Sequence, residues 1–189
     1  YRPKTHWHLS LSGEKRDTYF SLTYAPTVDP VSFPQNVVSI LPAKEEKFSR
    51  LWLERKQMVA QLREQYLTEV AWSDLKVFDV LLKQIPENSI LHLGNSTPVR
   101  YSQLFGSLHR FQYFSNRGVS GIDGQISTAA GSAYANGNLH SIITGDLGFF
   151  YDSNALMNQN LRPNLKIIVI NNGGGGIFRF IPGPDSSPQ

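Results

Sequence analysis

The second half of the chain alternates short apolar runs with stretches of helical character. Four runs have the length and the leucine, β-branched or aromatic content of buried strands, over residues 89–93, 111–114, 141–144 and 166–170. Helices are predicted between them, over about 98–108, 121–136 and 154–161. Strands that alternate with helices form parallel sheets covered by helices on their faces. The pattern therefore predicts an α/β fold in which a parallel β-sheet is flanked by helices.

Two further helices are predicted before residue 89. Apolar side chains such as Phe48, Leu51 and Val59 recur every three or four residues among lysines and arginines, which predicts an amphipathic helix over about 45–67. A second helix is predicted to begin at Ser73, a good N-cap residue, and to end at residue 84 before Pro86.

The first 45 residues have a different character. Aromatic and β-branched residues at 5–11 and 19–23 predict two short strands. Pro26, Pro30, Pro34 and Pro42 argue against a helix or a central strand, and they predict a linker or an extended crossing segment. We therefore predict that residues 1–45 are the end of a preceding domain with its linker, and that residues 46–189 form a second domain.

Composition narrows the classes of function. The chain has 189 residues, a net charge of +3 and no cysteine. The absence of cysteine excludes disulfides and thiolate metal sites, and it fits a reducing, cytoplasmic location. The 18 lysines and arginines are scattered, so no nucleic-acid partner is predicted. No run reaches the roughly 18 apolar residues that span a bilayer, so no membrane insertion is predicted.

Two neighbouring strand ends carry the residue types of a metal–diphosphate site. Gly-Asp-Leu at 145–147 follows one predicted strand, and Asn-Asn with four glycines at 171–176 follows the next. Magnesium prefers six oxygen ligands, of which a diphosphate and water supply about three. Asp146 offers a carboxylate, Asn172 an amide oxygen and Gly174 a backbone carbonyl, while glycines let phosphates approach the backbone. We therefore predict a Mg²⁺ site with these three ligands. The five histidines show no ligand spacing, and we expect them to be structural or exposed.

These strand ends resemble the motif of thiamine-diphosphate-dependent enzymes, a Gly-Asp-Gly sequence followed at a distance by Asn-Asn. Leu147 stands where that motif has its last glycine. Residues 94–100, 115–124 and 171–178 are similar to one branch of the family, the 2-succinyl-5-enolpyruvyl-6-hydroxy-3-cyclohexene-1-carboxylate synthases of menaquinone biosynthesis. The resemblance implies that residues 46–189 form the pyrophosphate-binding domain. The chain is then expected to be a C-terminal fragment of a larger protein, with this domain incomplete at its C-terminal end.

The resemblance also implies roles for individual residues. The implied cofactors are thiamine diphosphate and Mg²⁺, with Mn²⁺ as the alternative cation. The implied cofactor-binding residues are Asn95, Ser96, Ser120, Ile122, Gly145, Asp146, Leu147, Gly148, Asn172 and Gly174. The implied substrate-binding residues are Ser96, Arg100, Arg117, Ile177 and Phe178. The two arginines suit substrates with several carboxylates, because a guanidinium binds a carboxylate through two hydrogen bonds.

The implied reaction decarboxylates 2-oxoglutarate and adds the resulting succinyl-semialdehyde carbanion to isochorismate. Enzymes of this kind are transferases that work as a dimer or a dimer of dimers. Their catalytic glutamate lies in a separate pyrimidine-binding domain, so no catalytic residue is expected in this chain and the isolated chain is expected to be inactive. Two alternatives stay open. One is a sister enzyme, either a 2-oxoacid decarboxylase or an acetolactate-type synthase. The other is a non-catalytic α/β module that binds an anion or a partner protein.

Overall fold

The computed structural model describes residues 2–41, 47–106, 109–179 and 183, without the side chains of Phe178 and Arg179. The chain divides into two compact units, Tyr1–Met58 and Val59–Gln189. The predicted domain boundary between residues 45 and 46 lies outside the described residues and stays a prediction. Within the described ranges, no helix is long and apolar enough to cross a bilayer.

The first unit contains a small parallel sheet. β1 (His6–Trp7) pairs with β2 (Leu22–Tyr24). β1 lies within the strand predicted over 5–11, and β2 overlaps the strand predicted over 19–23 and ends one residue later. Both are shorter than predicted. They pair in parallel, so they do not form a hairpin.

A helix, α1 (Ser32–Ile40), occupies part of the proline-rich segment, so the prediction that this segment contains no helix is wrong. The helix tolerates Pro34 because this residue lies in the first turn, where a backbone N–H has no helical partner to lose. The Asp29 carboxylate also accepts hydrogen bonds from the N–H groups of Val31 and Ser32, at 3.0 and 3.2 Å. The proline count could not reveal this local support.

The two helices predicted before residue 89 are confirmed. α2 (Lys47–Glu69) covers the amphipathic stretch, and the predicted start at residue 45 lies outside the described residues. α3 (Asp74–Gln84) begins where predicted, because the Ser73 hydroxyl accepts a hydrogen bond from the Lys76 N–H at 3.4 Å.

The second unit is built on a four-stranded parallel sheet, as predicted. Its strands are β3 (Ile90–Leu93), β4 (Gln112–Phe114), β5 (His140–Gly145) and β6 (Leu165–Ile170), in the order β4-β3-β5-β6. Every neighbouring pair is parallel. All four carboxyl ends therefore meet at one edge of the sheet, where ligands bind in open α/β sheets.

Helices cover the sheet on two faces. α4 (Thr97–Leu104) and α5 (Gln125–Ala135) are shorter than predicted, because Gly106 and Gly124 adopt positive φ of 61° and 68° at their boundaries. The six-residue helix α6 (Asp146–Tyr151) was not predicted. The helix predicted over about 154–161 is observed as a short 3₁₀ helix, Ser153–Met157.

Two buried clusters follow from the alternation of side chains along the strands. On one face, Leu91, Leu93 and Ile143 pack with Phe78 of α3 and Val99 of α4. On the other face, Ile142 packs with residues of α5 and of the 3₁₀ helix, namely Ile126, Ala129 and Ala155. This two-sided burial fixes the strand ends that shape the candidate site.

Candidate functional site

A cavity of about 260 Å³ lies at the carboxyl edge of the four-stranded sheet. The segment after each strand contributes to its lining, and α3 and α5 supply further residues. The sequence-predicted residues that line it are Asn95, Ser96, Ser120, Ile122, Gly145, Asp146, Leu147, Gly148, Asn172 and Ile177. Arg100, Arg117 and Gly174 are outside this lining, and the side chain of Phe178 is outside the described part of the chain.

The Asp146 carboxylate joins the two halves of the motif. One oxygen, Oδ1, accepts a hydrogen bond from the Leu147 N–H at 2.7 Å. The other, Oδ2, accepts a hydrogen bond from the Gly174 N–H, also at 2.7 Å. Asp146 is the first residue of α6, where the helix dipole also stabilises negative charge. The half-buried carboxylate is therefore held in place by two backbone donors.

The glycine loop after β6 has a backbone that most side chains would strain. Gly173, Gly174 and Gly175 have φ of 84°, 91° and 50°. A Cβ built on Gly174 would have no heavy atom within 4 Å, so open space lies beside this backbone. The loop therefore offers bare peptide groups at the end of β6, which is what close approach to a phosphate requires.

The Asn172 side chain is fixed by a residue that the sequence did not reveal as a site residue. Its Nδ2 donates a hydrogen bond of 2.9 Å to Oδ2 of Asp74, the first residue of α3. Both residues line the cavity. They are 98 positions apart, and no local sequence pattern links them.

The donor set fits a hard cation bound to a diphosphate. Asp146 supplies carboxylate oxygens, and the amide oxygen of Asn172 is left available when its nitrogen faces Asp74. Oxygen ligands with little net charge are what Mg²⁺ takes when phosphate oxygens complete its shell. Among the described residues, no group of three or more His, Cys, Asp or Glu side chains is placed to hold a metal by itself. A cation here would therefore depend on ligand oxygens.

Close packing at the strand ends explains two further glycines. A Cβ on Gly94 would lie 2.6 Å from Oε1 of Gln125 and 3.0 Å from the Ile143 carbonyl oxygen. A Cβ on Gly148 would lie 2.7 Å from Oγ1 of Thr144. None of these three distances leaves room for a methyl group. The glycines thus let β3, β5, α5 and α6 meet closely at the base of the cavity.

Asn95 holds the loop that follows β4. It is almost fully buried, and its Nδ2 donates to the carbonyl oxygens of Asn116 and Gly121 at 2.8 and 2.6 Å. Its Oδ1 accepts a hydrogen bond from Nη1 of Arg117 at 2.8 Å. The amide therefore satisfies three partners and fixes the segment that carries Ser120 and Ile122 to the cavity.

The two predicted substrate arginines lie beside the cavity lining rather than in it. Arg117 is held by Asn95 and lines a neighbouring hollow of about 290 Å³ together with Val99 and Tyr113. Arg100 is exposed on α4. Their predicted roles stay predictions.

Two of the four described non-glycine residues with positive φ lie at the cavity. Ser96 has φ 71° and ψ −126°, and Ser120 has φ 58°. Such conformations cost non-glycine residues of order 1–3 kcal/mol and are common at binding sites. Both residues line the cavity. The two strained serines therefore lie at the same cavity as the motif residues Asp146 and Asn172.

Asp152 stabilises the start of α5, a role that the sequence did not reveal. It is buried, and its two oxygens accept hydrogen bonds from the N–H and the hydroxyl of Ser127 at 2.8 and 2.5 Å. Ser127 lies in the first turn of α5, where N–H groups lack helical partners. The carboxylate thus ties α5 to the segment that follows α6.

Two buried histidines stack on the sheet face that packs against α5. Nε2 of His92 lies 3.1 Å from Nδ1 of His140, and Nε2 of His140 lies 2.9 Å from Oδ1 of Asn136. Because the amide oxygen only accepts, His140 donates to Asn136 and His92 donates to His140.

Burial, with a smaller contribution from His140, lowers the pKa of His92 to about 4. Burial also lowers the pKa of His140. Both are outside the cavity lining, as expected for structural histidines.

Comparison with known proteins relates the chain to one family. No protein-family model matches it. Three synthases named 2-succinyl-5-enolpyruvyl-6-hydroxy-3-cyclohexene-1-carboxylate synthase are similar to it. The protein of Bacteroides thetaiotaomicron is 41% identical over 185 residues, which are 98% of this chain and 32% of that protein. The protein of Flavobacterium psychrophilum is 43% identical over 185 residues, or 97% of this chain and 33% of that protein. The protein of Flavobacterium johnsoniae is 41% identical over 192 residues, or 100% of this chain and 34% of that protein.

The chain therefore spans about a third of the length of the curated relatives it matches. The match runs through both compact units and includes the strand ends that form the cavity. The chain is thus a relative of the 2-succinyl-5-enolpyruvyl-6-hydroxy-3-cyclohexene-1-carboxylate synthases, related to them across about one third of their length.

Proposed function

We propose that this chain forms the pyrophosphate-binding part of a carboligase that depends on thiamine diphosphate and Mg²⁺. The proposed substrates are 2-oxoglutarate and isochorismate, and the proposed pathway is menaquinone biosynthesis. The observation that carries the proposal is the hydrogen bond between Asp146 and Gly174, which unites the two motif halves at one cavity. The likeness to synthases of that name supports it.

The proposed roles follow from the chemistry of the lining. Asp146, Asn172 and Gly174 would bind the cation, and the bare backbone of the glycine loop would admit the diphosphate. When bound, thiamine diphosphate supplies the carbanion chemistry by which a 2-oxoacid loses carbon dioxide. Ile122 and Leu147 give the cavity apolar walls, which bind the organic part of the cofactor and exclude water from it.

The substrate-binding roles are proposed for residues near the cavity mouth. Ser96 and Ile177 line the cavity and would contact substrate directly. Arg117 would have to give up its hydrogen bond with Asn95, or accept a carboxylate on its remaining donors. Arg100 is exposed, so its guanidinium is accessible to a carboxylate.

The remaining parts of the proposal concern the whole protein. The glutamate needed for chemistry would come from a pyrimidine-binding domain that this chain does not supply, so the isolated chain would turn over no substrate. We also propose assembly as a dimer or a dimer of dimers. The cysteine-free sequence supports a cytoplasmic location.

The test uses the natural protein at full length with Mg²⁺ and thiamine diphosphate. Carbon dioxide release from 2-oxoglutarate, with consumption of isochorismate, would support the proposal. Turnover of a monocarboxylic 2-oxoacid such as pyruvate, without reaction of isochorismate, would favour the sister enzyme. Failure of thiamine diphosphate to bind would overturn the cofactor site and favour a non-catalytic module.

A further inference from the structure

A carboxylate opposite the predicted metal ligand is the feature that the proposed function does not use. Asp74 begins α3, and Asn172 follows β6. Oδ2 of Asp74 accepts a hydrogen bond of 2.9 Å from Nδ2 of Asn172. Both side chains line the cavity.

The chemistry of the amide makes this contact directional. An asparagine side chain has a donating NH₂ end and an accepting oxygen end, whereas an ionised carboxylate only accepts. Asp74 can therefore pair with the nitrogen of Asn172 but not with its oxygen. Mg²⁺ takes oxygen ligands, so only one of the two amide orientations can serve the cation.

We infer that Asp74 is a positioning residue that holds the Asn172 amide with its oxygen available to a divalent cation. The inference rests on the proposed function, since it concerns the cation of that site. Without Asp74, the exposed Asn172 side chain would be free to rotate, and part of the population would present NH₂ to the cation. Ordering the amide beforehand lowers the entropy cost of binding.

The surroundings of Asn172 support a built arrangement. A Cβ on Gly176 would come within 3.3 Å of Nδ2 of Asn172, closer than most side-chain contacts allow. The bare backbone of Gly176 therefore leaves room for the amide nitrogen beside Asp74. Asp74 and Gly176 both lie beside the nitrogen end of the amide.

Helix capping does not account for the contact. The N-cap of α3 is Ser73, whose hydroxyl accepts the hydrogen bond from the Lys76 N–H. Asp74 also benefits from the helix dipole as an acidic first-turn residue, but this effect requires no particular partner. Ser73 and Asp74 can thus be changed separately to weaken the helix or to release the amide.

The experiment measures Mg²⁺ binding by thermal shift in the full-length natural protein, at a fixed concentration of thiamine diphosphate. We expect Asp74→Ala to raise the half-saturating Mg²⁺ concentration by about tenfold to a hundredfold, the usual loss when a group that orients a metal ligand is removed. Ser73→Ala is the matched control. It should lower the melting temperature without ligand but leave the half-saturating Mg²⁺ concentration unchanged.

Repeating Asp74→Ala in a protein that also carries Asn172→Asp distinguishes loss of amide orientation from a general loss of structure. Asn172→Asp has oxygens at both ends and needs no orienting partner, while its charge is repelled by Asp74. In this background Asp74→Ala should lower the half-saturating Mg²⁺ concentration, which reverses the sign of the effect seen with Asn172. Equal losses in both backgrounds would overturn the inference and assign Asp74 a structural role.

The outcomes also distinguish the inference from the proposed function. If the unmodified protein shows no stabilisation by Mg²⁺ with thiamine diphosphate, the proposed function fails and the inference fails with it. If the unmodified protein responds and Asp74→Ala has the same half-saturating Mg²⁺ concentration, only the inference is overturned. Urea unfolding without ligand verifies that each variant is folded.

Discussion

Oδ2 of Asp146 accepts a 2.7 Å hydrogen bond from the backbone N–H of Gly174, which lies 28 positions later in the chain. This bond joins the start of α6 to the loop after β6, and it connects the ends of two adjacent parallel strands. A carboxylate fixed in this way is ready for a ligand before any ligand arrives. Hydrogen bonds between a carboxylate and backbone donors are stronger than those between neutral groups, so the hydrogen bond between Asp146 and Gly174 stabilises this arrangement.

The first prediction concerns Asp146→Asn. One oxygen becomes an NH₂ group, which cannot accept, so one of the two hydrogen bonds from the N–H groups of Leu147 and Gly174 is lost. The charged carboxylate ligand becomes a neutral amide. A ligand at a hundredfold its Kd raises the free energy of unfolding by about 2.7 kcal/mol. We expect the variant to lose most of the stabilisation that Mg²⁺ and thiamine diphosphate give the full-length protein, measured by thermal shift. Asp123→Asn, at an exposed carboxylate in the loop after β4, is the control and should keep it. Equal stabilisation of the two variants would contradict the metal site.

A pair of glycine variants tests the packing at the strand ends. Gly94→Ala would place a Cβ 2.6 Å from Oε1 of Gln125 and 3.1 Å from Cα of Thr144, so the backbone must shift. We expect a loss of about 1–3 kcal/mol in the free energy of unfolding, the usual cost of overpacking. Gly131→Ala, within α5, has nothing within 4 Å of the new Cβ and should stabilise by about 0.5–1 kcal/mol. Urea unfolding measures both changes, and a loss at Gly131 as large as that at Gly94 would contradict the packing argument.

The sequence predicted those parts of the site that local pattern determines. Asp146 and Asn172 each follow a strand, and parallel strands bring their carboxyl ends together, so their proximity could be anticipated. Asp74 could not be anticipated, because its contact with Asn172 depends on where α3 packs and not on any spacing. The same limit applies to Asp152, whose partner Ser127 lies 25 positions earlier.

For the fold, too, the sequence predicted the elements that local patterns determine and missed those that depend on the folded backbone. Short apolar runs that alternate with helical stretches predicted the parallel sheet. Its two central strands, β3 and β5, are buried and have the strongest apolar pattern. The segment with Pro34 was predicted to contain no helix but is helical, because a proline in the first turn breaks no hydrogen bond. Helix ends depended on Gly106 and Gly124, whose positive φ is a property of the folded chain.

A double-mutant cycle tests the role of Asp152. Asp152→Ala removes both hydrogen bonds to Ser127 and leaves the start of α5 without its carboxylate. We expect a loss of about 2 kcal/mol in the free energy of unfolding, because hydrogen bonds to charged groups contribute about 1.5–3 kcal/mol. Ser127→Ala removes the hydroxyl bond alone and should cost less. The two changes should be less than additive in urea unfolding, since they share that bond. Strict additivity would contradict a direct contact.

The last prediction concerns pH and the stacked pair of His92 and His140. The pKa of His92 falls from its ordinary 6.5 to about 4 in the folded protein, chiefly because the ring is buried. Between these values the unfolded chain binds a proton that the folded protein does not, so stability falls as pH falls. The stability from the neutral ring is fully present above pH 6.5 and is lost progressively towards pH 4.

The slope that His92 contributes is at most about 1.4 kcal/mol per pH unit. His92→Gln removes the titrating group, so its free energy of unfolding should fall less between pH 7 and pH 5 than that of the unmodified protein. His109→Gln, at an exposed histidine, is the control for the loss of a histidine as such. Urea unfolding of the full-length protein at both pH values measures the difference. If His92→Gln keeps the full pH dependence, folding does not lower the pKa of His92, and the burial of a neutral His92 ring is contradicted.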